Sequence, residues 1–213
     1  MQDIYEEAEA LYFGEEYAEA EPLLRRAAEA DHAHAAYLLG RCCEELGRPQ
    51  EAARWLRVAA ERGNTLAMND LALCLEDTDR AEAVAWMRRA AETGSQSTAA
   101  YNLGIFLEED GELQEAEHWY RQATESLYHP ATRNRLALLL ERTGRDGEAE
   151  GWYRTALEEM VAYEDPGDRD EDYEANSQVM LNLADLLERT ARPDEARDLR
   201  RRAAERVMVA EGE

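Results

Sequence analysis

Apolar and polar positions follow a helical period along most of the chain, and turn residues interrupt the pattern at short intervals. In "EAARWLRVAAERGN", residues 51–64, Ala52, Leu56, Ala59 and Ala60 fall on one helix face. The Gly–Asn pair that closes the segment is a signal for the end of a helix. The pattern predicts an amphipathic helix that places small residues where a neighbouring helix crosses closely.

A segment of this kind occurs six times in the chain. Its leading alanines are Ala20, Ala52, Ala83, Ala116, Ala149 and Ala196, with steps of 32, 31, 33, 33 and 47 residues. A second, preceding helical pattern carries Leu-Gly or Leu-Ala pairs in the same period. These pairs begin at Leu39, Leu71, Leu103, Leu136 and Leu183. Two markers with one period predict a series of helical hairpins that pack side by side.

A Leu-Gly pair followed by the Ala-x-x-x-aromatic segment resembles the tetratricopeptide repeat, and endings such as "AAERGNTLAM" resemble its Sel-like relatives. The resemblance implies an all-α, right-handed α-solenoid of about six antiparallel helix pairs. It places a single helical-repeat domain over residues 1–213. It also implies a function in binding other proteins through the concave face, which the first helix of each pair lines.

The repeat positions predict the packing. Gly40 should face Ala52 across the hairpin, and Leu56, Met87, Tyr120 and Tyr153 should fill the core one turn further on. The tryptophans three residues after each alanine should lie between neighbouring repeats. They are Trp55, Trp86, Trp119 and Trp152.

The last repeat differs from the others. Arg197, Arg200, Arg201 and Arg202 favour a polar outer cap, and the alternative is an arginine patch for a phosphate or an acidic partner. The long step before this repeat contains an acidic inserted loop, residues 164–174. Asp168, Asp170 and Asp172 alternate there as in a calcium loop, but Tyr173 and Val179 occupy the positions where such loops carry Gly and Glu. We therefore predict no metal site, and instead a solvated loop that could dock a basic partner.

The chain has 48 acidic and 24 basic residues, every base is arginine, and the net charge is −24. This charge argues against direct binding to nucleic acid or to anionic membranes. It favours a basic partner, while solubility, genome composition and a salt-rich cytoplasm remain alternatives. The chain lacks an apolar run of roughly 18 residues, and its N-terminus lacks the pattern of a signal peptide. The expected location is therefore the cytoplasm. An odd number of cysteines predicts reduced thiols, and Cys42 and Cys74 are expected to be buried small residues, with a redox pair as the alternative.

No catalytic pattern is present. The absence of lysine excludes a phosphate-loop lysine, and His32 and His34 are two residues apart, so they diverge on a helix. We predict no enzyme activity, no cofactor and no metal.

The repeat positions predict which residues line the groove. Two residues before or after each repeat leucine lie Tyr37, Arg41, Asn69, Leu73, Tyr101, Ile105, Asn134, Leu138, Leu181 and Asp185, and the N-terminal cap adds Tyr5, Tyr12 and Phe13. An acidic rim should consist of Glu44, Glu45, Glu76, Asp77, Glu108 and Glu109. Asparagine amides and tyrosine rings suit an extended or helical peptide, and acids select a basic one. The alternative is that these are ordinary half-exposed residues.

Three hypotheses for function follow. The first is a non-catalytic interaction module or scaffold that binds a basic or amphipathic segment of another protein in the groove. The second is an acidic regulator that masks a basic nucleic-acid-binding partner, and the third is an accessory subunit of an enzyme. The sequence leaves the oligomeric state and the partner's identity open.

Overall fold

The structure is a computed structural model that describes residues 2–93, 97–126, 130–162 and 171–211. These ranges contain twelve α-helices and no strand, which confirms the all-α prediction. The first six are α1 Gln2–Phe13, α2 Tyr17–Glu29, α3 Ala33–Glu45, α4 Pro49–Glu61, α5 Thr65–Leu75 and α6 Arg80–Glu92. The others are α7 Ser97–Glu109, α8 Leu113–Ser126, α9 Pro130–Arg142, α10 Asp146–Ala162, α11 Glu171–Arg189 and α12 Pro193–Glu211. Among the described residues, no helix is both long enough and apolar enough to cross a bilayer.

The chain forms two compact units, residues 1–106 and residues 107–213, and the boundary lies within α7. Neighbouring helices in sequence pack as hairpins within each unit, for example α3 against α4 and α11 against α12. The prediction of a single domain over residues 1–213 stays a prediction.

Local signals set the ends of the helices. Gly47 has a φ of +71°, so the chain can reverse between α3 and α4 without the cost that a side chain would add. Pro49 begins α4, where its fixed φ and missing N–H suit the first turn. Nδ1 of His32 accepts the backbone N–H of Ala35 at 3.1 Å and caps α3, a role that the sequence analysis did not give it.

The helix crossing in this hairpin requires a glycine. A Cβ added to Gly40 would lie 2.9 Å from Cγ of Leu56 and 3.2 Å from its backbone nitrogen. Leu56 stands one turn after Ala52, and the contact between Gly40 and Ala52 stays a prediction. Large side chains cannot replace Gly40 because a backbone atom, and not only a flexible side chain, stands in the way.

The predicted core residues are buried. Leu56, Met87, Tyr120 and Tyr153 have no exposed surface, and the alanines one turn further on are buried with them. Trp119 is 6% exposed, whereas the other three tryptophans are half-buried. Arg25 from the preceding second helix covers the ring of Trp55, and Arg121 covers that of Trp152 in the same way. Both tryptophans thus lie between successive second helices, as predicted.

The predicted acidic loop, residues 164–174, falls largely outside the described residues, and so do Asp168 and Asp170. Helix α11 begins at Glu171, before the predicted end of the loop. In the last repeat, Arg200 occupies the place of Tyr153 in the repeat before it. Its guanidinium bonds Glu188 at 2.8 Å and Asp185 at 2.7 Å, so this polar end is held by ion pairs within the repeat.

Candidate functional site

The first helices of the first unit carry a connected polar cluster. Nη1 of Arg41 in α3 lies 2.8 Å from the Glu44 carboxylate and 3.9 Å from that of Asp70 in α5. Burial raises the pKa of Tyr37 to about 12, and the charge of Asp70 adds to the shift. The predicted groove residues Tyr37 and Arg41 therefore come together. Asp70, which joins them, was not predicted, although it directly follows Asn69 in the groove pattern.

The N-terminal helix brings a second predicted residue onto this face. The ring of Tyr5 stacks on that of His32 with centroids 4.2 Å apart, and its hydroxyl donates to Glu9. His34 lies beside this stacked pair, and the centroid of its ring is 5.5 Å from that of Tyr37. Burial lowers the pKa of His34, which keeps the ring neutral at physiological pH. The two histidines, assigned no binding role from the sequence, thus contribute aromatic surface between Tyr5 and Tyr37.

The predicted groove asparagines bind neighbouring repeats. Nδ2 of Asn102 donates to Oδ1 of Asn69 at 2.9 Å, and Asn69 donates in turn to Asp70 at 3.0 Å. Asn69 is 8% exposed. In the second unit, Asn182 makes the same 2.9 Å bond to Asn134. These amides join successive first helices, and their binding to a peptide backbone stays a prediction. Tyr101 and Ile105 are half-buried.

The predicted acidic rim is partly neutralised within the chain. Glu44 pairs with Arg41, and Glu76 pairs with Arg80 at 3.2 Å. Glu45, Asp77 and Glu109 are exposed. Where these acids meet arginine, the charge offered to a partner is smaller than the sequence suggests.

Glu108 is not a rim residue, which corrects the prediction. Its side chain is only 9% exposed, and it accepts hydrogen bonds from the Tyr120 hydroxyl at 2.8 Å and from Arg135 at 3.2 Å. Arg142 also pairs with it. The tyrosine of the second helix turns this carboxylate inward, because a buried phenol needs an acceptor.

The same arrangement recurs one repeat later. The Tyr153 hydroxyl donates to Glu141 at 2.5 Å, and Arg189 pairs with the same carboxylate. Burial, followed by the hydrogen bond to Glu141, raises the pKa of Tyr153 well above its ordinary value. A Tyr–Glu–Arg contact around a largely buried carboxylate therefore links successive repeats in the second unit.

Exposed apolar side chains mark the first helices more clearly than the charges do. Five large apolar side chains are exposed in the described residues, namely Phe13, Leu46, Leu66, Leu73 and Leu181. Leu73 and Leu181 occupy predicted groove positions, and Phe13 belongs to the predicted cap. Leu73 is 45% exposed. Three of the five thus fall where the repeat pattern places the groove.

The second helices carry a different network. Glu21, Arg25, Arg48 and Glu51 form a closed set of ion pairs of 2.6–3.2 Å between the first two repeats. The equivalent residues form the same set twice in the second unit, as Glu117, Arg121, Arg145, Glu148 and as Glu150, Arg154, Arg192, Glu195. The repetition indicates that these ion pairs join the second helices of successive repeats.

A pocket of about 680 Å³ opens beside the first of these networks, and Trp55, Arg54 and Val58 line it. It lies on second helices, away from the predicted groove residues. Two of its arginines, Arg25 and Arg48, already bind the two glutamates, so we do not regard it as the functional site.

All three cysteines are free. Cys42 and Cys43 are buried, and Cys42 donates to the backbone oxygen of Tyr17 at 3.1 Å. Burial raises the pKa of Cys42 to about 11, so the thiol stays protonated. Cys74 is exposed, 3.8 Å from Glu44, so the prediction that it is buried is wrong.

Comparison with family models identifies tetratricopeptide repeats in two parts of the chain. One model matches residues 5–67 and a second matches residues 97–126. Comparison with curated proteins gave no significant match.

Solved structures share the fold. The structure of BtubC (BKLC) from P. vanneervenii is 16% identical, with a TM-score of 0.75 over 97% of this chain and 93% of that one. PilF of Pseudomonas aeruginosa is 17% identical, with a TM-score of 0.69 over 93% of this chain and 87% of that one. MamA from Desulfovibrio magneticus RS-1 is 15% identical, with a TM-score of 0.61 over 77% of this chain and 97% of that one.

Proposed function

We propose that this tetratricopeptide-repeat protein is a non-catalytic interaction scaffold that holds a peptide or helical segment of another protein against its first helices. The observation that carries the proposal is the exposure of Leu73 and Leu181 at the positions that the repeat pattern assigns to the groove. Burial of such a side chain against a partner stabilises the complex by about 25 cal/mol for each Å² of apolar surface that is covered. Tyr37, at a groove position of the preceding repeat, adds contact area at a small entropic cost.

The partner segment that fits this face is basic or amphipathic. Asp70 and Glu44 lie among the groove residues and share a single arginine, Arg41, so the cluster has an excess of negative charge. An apolar residue of the segment would cover Leu73, while a basic residue nearby would approach Asp70.

A second candidate function is the masking of a basic nucleic-acid-binding protein. It is favoured by the acidity of the N-terminal hairpin, where residues 1–24 contain eight acids and no base. Masking predicts binding that weakens steeply with salt and does not depend on Leu73, because counterions compete with the acids and not with apolar contacts.

Cellular location and chemistry belong to the same proposal. Three free thiols suit the reducing cytoplasm. We assign the chain no catalytic step, because burial and contacts within the chain account for the pKa shifts of its titratable groups, as they do for Tyr120, Tyr153 and Cys42.

The test compares two leucine variants. Leu73→Gln places an amide in the groove, and Leu46→Gln makes the same change at an exposed leucine outside it. Proteins captured from native lysate by the wild type are identified by mass spectrometry, and the binding of the purified partner is measured by calorimetry. We expect Leu73→Gln to weaken binding at least about tenfold and Leu46→Gln to leave it unchanged.

Thermal unfolding of both variants provides the control for folding. Equal affinity of both variants for the partner would overturn the groove proposal. If salt then releases the partner from both, the masking function takes its place.

A further inference from the structure

The negative charge of the first unit is least compensated at its N-terminal hairpin. The first base in the chain is Arg25, so α1, its turn and the start of α2 contain acids only. The nearest bases of the following repeat are occupied. Arg41 pairs with Glu44, and Arg48 pairs with Glu21 and Glu51. Arg41 also donates a hydrogen bond to the Tyr12 side chain, so one base reaches the turn between α1 and α2 from α3, and the exposed carboxylates of Glu15, Glu16 and Glu19 outnumber it.

Three aromatic rings meet at this turn. Tyr12 contacts Phe13 edge to face with centroids 5.4 Å apart, and it contacts Tyr17 at 5.6 Å. Phe13 is 71% exposed, more than any other large apolar side chain in the described residues. Tyr12 and Tyr17 are half-buried and hold the cluster in place. We refer to these three residues as the aromatic tip.

Carboxylates surround the aromatic tip. Glu15, Glu16 and Glu19 are exposed, and a hydrogen bond to Glu19, followed by the charge of Glu19, raises the pKa of Glu16. Burial raises the pKa of Tyr17, and the charges of Glu45 and Glu15 raise it further. Glu45 reaches the tip from the end of α3, so acids face it from two helices and from the turn.

The backbone at this turn is strained. Glu15 has a φ of +61°, a left-handed conformation that costs a residue with a side chain free energy. Gly47, Gly111 and Gly144 occupy the equivalent turns, each five residues before the leading alanine. The first repeat thus places a carboxylate beside the aromatic tip where three other repeats place glycine. Ala191 in the last repeat shares the strained φ and provides a control without charge.

We propose that the aromatic tip, with Glu15, Glu16 and Glu19 around it, is a docking site for an arginine-bearing segment of a partner protein. A guanidinium stacks on an exposed aromatic face and binds carboxylates at the same time, which a lysine ammonium does less well. This inference rests on the proposed scaffold function and deepens it. It adds the N-terminal hairpin to Asp70 in the groove as a place that selects a basic partner, because Glu44, Glu76 and Glu108 of the predicted rim bind the chain's own arginines.

The test uses octa-arginine labelled with fluorescein, and octa-citrulline as its uncharged counterpart. Fluorescence anisotropy with the full-length chain at about 0.15 M salt gives the affinity. The tip variant is Glu15→Gln, Glu16→Gln, Glu19→Gln. Its matched control is Glu29→Gln, Glu61→Gln, Glu92→Gln, which removes three exposed charges at the ends of α2, α4 and α6.

We expect the tip variant to bind octa-arginine about tenfold more weakly and the control variant to stay within about twofold of wild type. Phe13→Ala and Phe13→Leu should both weaken binding, because leucine retains apolar area but has no ring face for a cation. Octa-citrulline should bind none of the proteins.

Equal losses in the two triple variants would overturn the proposal, because the peptide would then be responding to net charge alone. Equal affinity of Phe13→Leu and wild type would overturn the role of the ring. Leu73→Gln separates this inference from the scaffold proposal, since it should weaken binding of the natural partner and leave octa-arginine binding intact.

Glu15→Gly separates the role in binding from a role in folding. Glycine relieves the left-handed strain, so the melting temperature should rise while octa-arginine binding weakens. Ala191→Gly should raise the melting temperature and leave binding unchanged. A Glu15→Gly variant that is more stable and binds as well as wild type would show that this carboxylate contributes nothing to the site.

Discussion

Nδ2 of Asn182 donates a hydrogen bond of 2.9 Å to Oδ1 of Asn134, and Asn102 donates one of the same length to Asn69. Each pair joins the first helices of successive repeats, so two asparagines of the predicted groove are used within the chain. Their difference lies in burial, since Asn69 is 8% exposed and Asn134 is half-buried. The two bonds are therefore expected to differ in their contribution to stability.

Asn102→Ala should destabilise the protein more than Asn182→Ala. The first substitution leaves the amide oxygen of buried Asn69 without its donor, which costs about 1–3 kcal/mol, whereas water can replace the lost donor at Asn134. Urea unfolding followed by circular dichroism measures both free energies. Equal losses would mean that burial of the acceptor does not decide the cost.

Tyr153→Phe should destabilise the second unit by about 1.5–3 kcal/mol, the range for hydrogen bonds to charged groups. The hydroxyl donates to Glu141 at 2.5 Å, and the Glu141 side chain is 14% exposed. A double-mutant cycle with Glu141→Gln isolates the pair. Strict additivity of the two substitutions would show that the hydroxyl and the carboxylate do not interact in solution.

Mild acid should destabilise the first unit through His34. Asn64 caps α5 with its Oδ1, so its Nδ2 donates to Nδ1 of His34 at 3.3 Å, and that nitrogen must carry no proton. Burial lowers the pKa of His34, and the nearby charge of Glu9 opposes this shift. The unfolded state therefore takes up a proton more readily, and stability falls as the pH drops below the ordinary histidine pKa of about 6.5.

The measurement is the melting temperature between about pH 7.5 and about pH 5.5, with His34→Gln as the reference. Glutamine does not titrate, so the variant should lose less stability than wild type over this range. Parallel curves for the two proteins would exclude His34 as the group responsible. Carboxylates that titrate in the same range cancel in the difference.

Leu199→Trp should stabilise the last repeat. Leu199 stands three residues after Ala196, where four earlier repeats have tryptophan, and it lines a pocket of about 350 Å³ with Leu157 and Leu183. Filling such a space commonly contributes about 0.5–2 kcal/mol. Thermal unfolding measures the gain, and Leu199→Phe should give a smaller one. Loss of stability in both variants would mean that the pocket cannot admit a larger ring.

The repeat pattern predicted most of the fold and only part of the site. Leu56, Tyr120 and Tyr153 could be assigned to the core from their spacing alone, because every repeat buries the same helix face. Glu108 could not be placed, because the sequence does not show that the Tyr120 hydroxyl draws its carboxylate inward. Asn69 was assigned to the groove from its position within one helix, whereas its partner Asn102 comes from the next repeat.

The sequence by itself determined the period, the helix pairs, the buried face and the excess of acid, because these depend on spacing and composition within each repeat. Only the tertiary structure decided which charges remain available to a partner. The sequence does not distinguish Glu44 and Glu108 from the acids of the N-terminal turn. In the structure, however, an arginine of the same repeat binds Glu44 and an arginine of the next repeat binds Glu108. Pairing depends on distances between repeats, and those distances exist only once the helices have packed against one another.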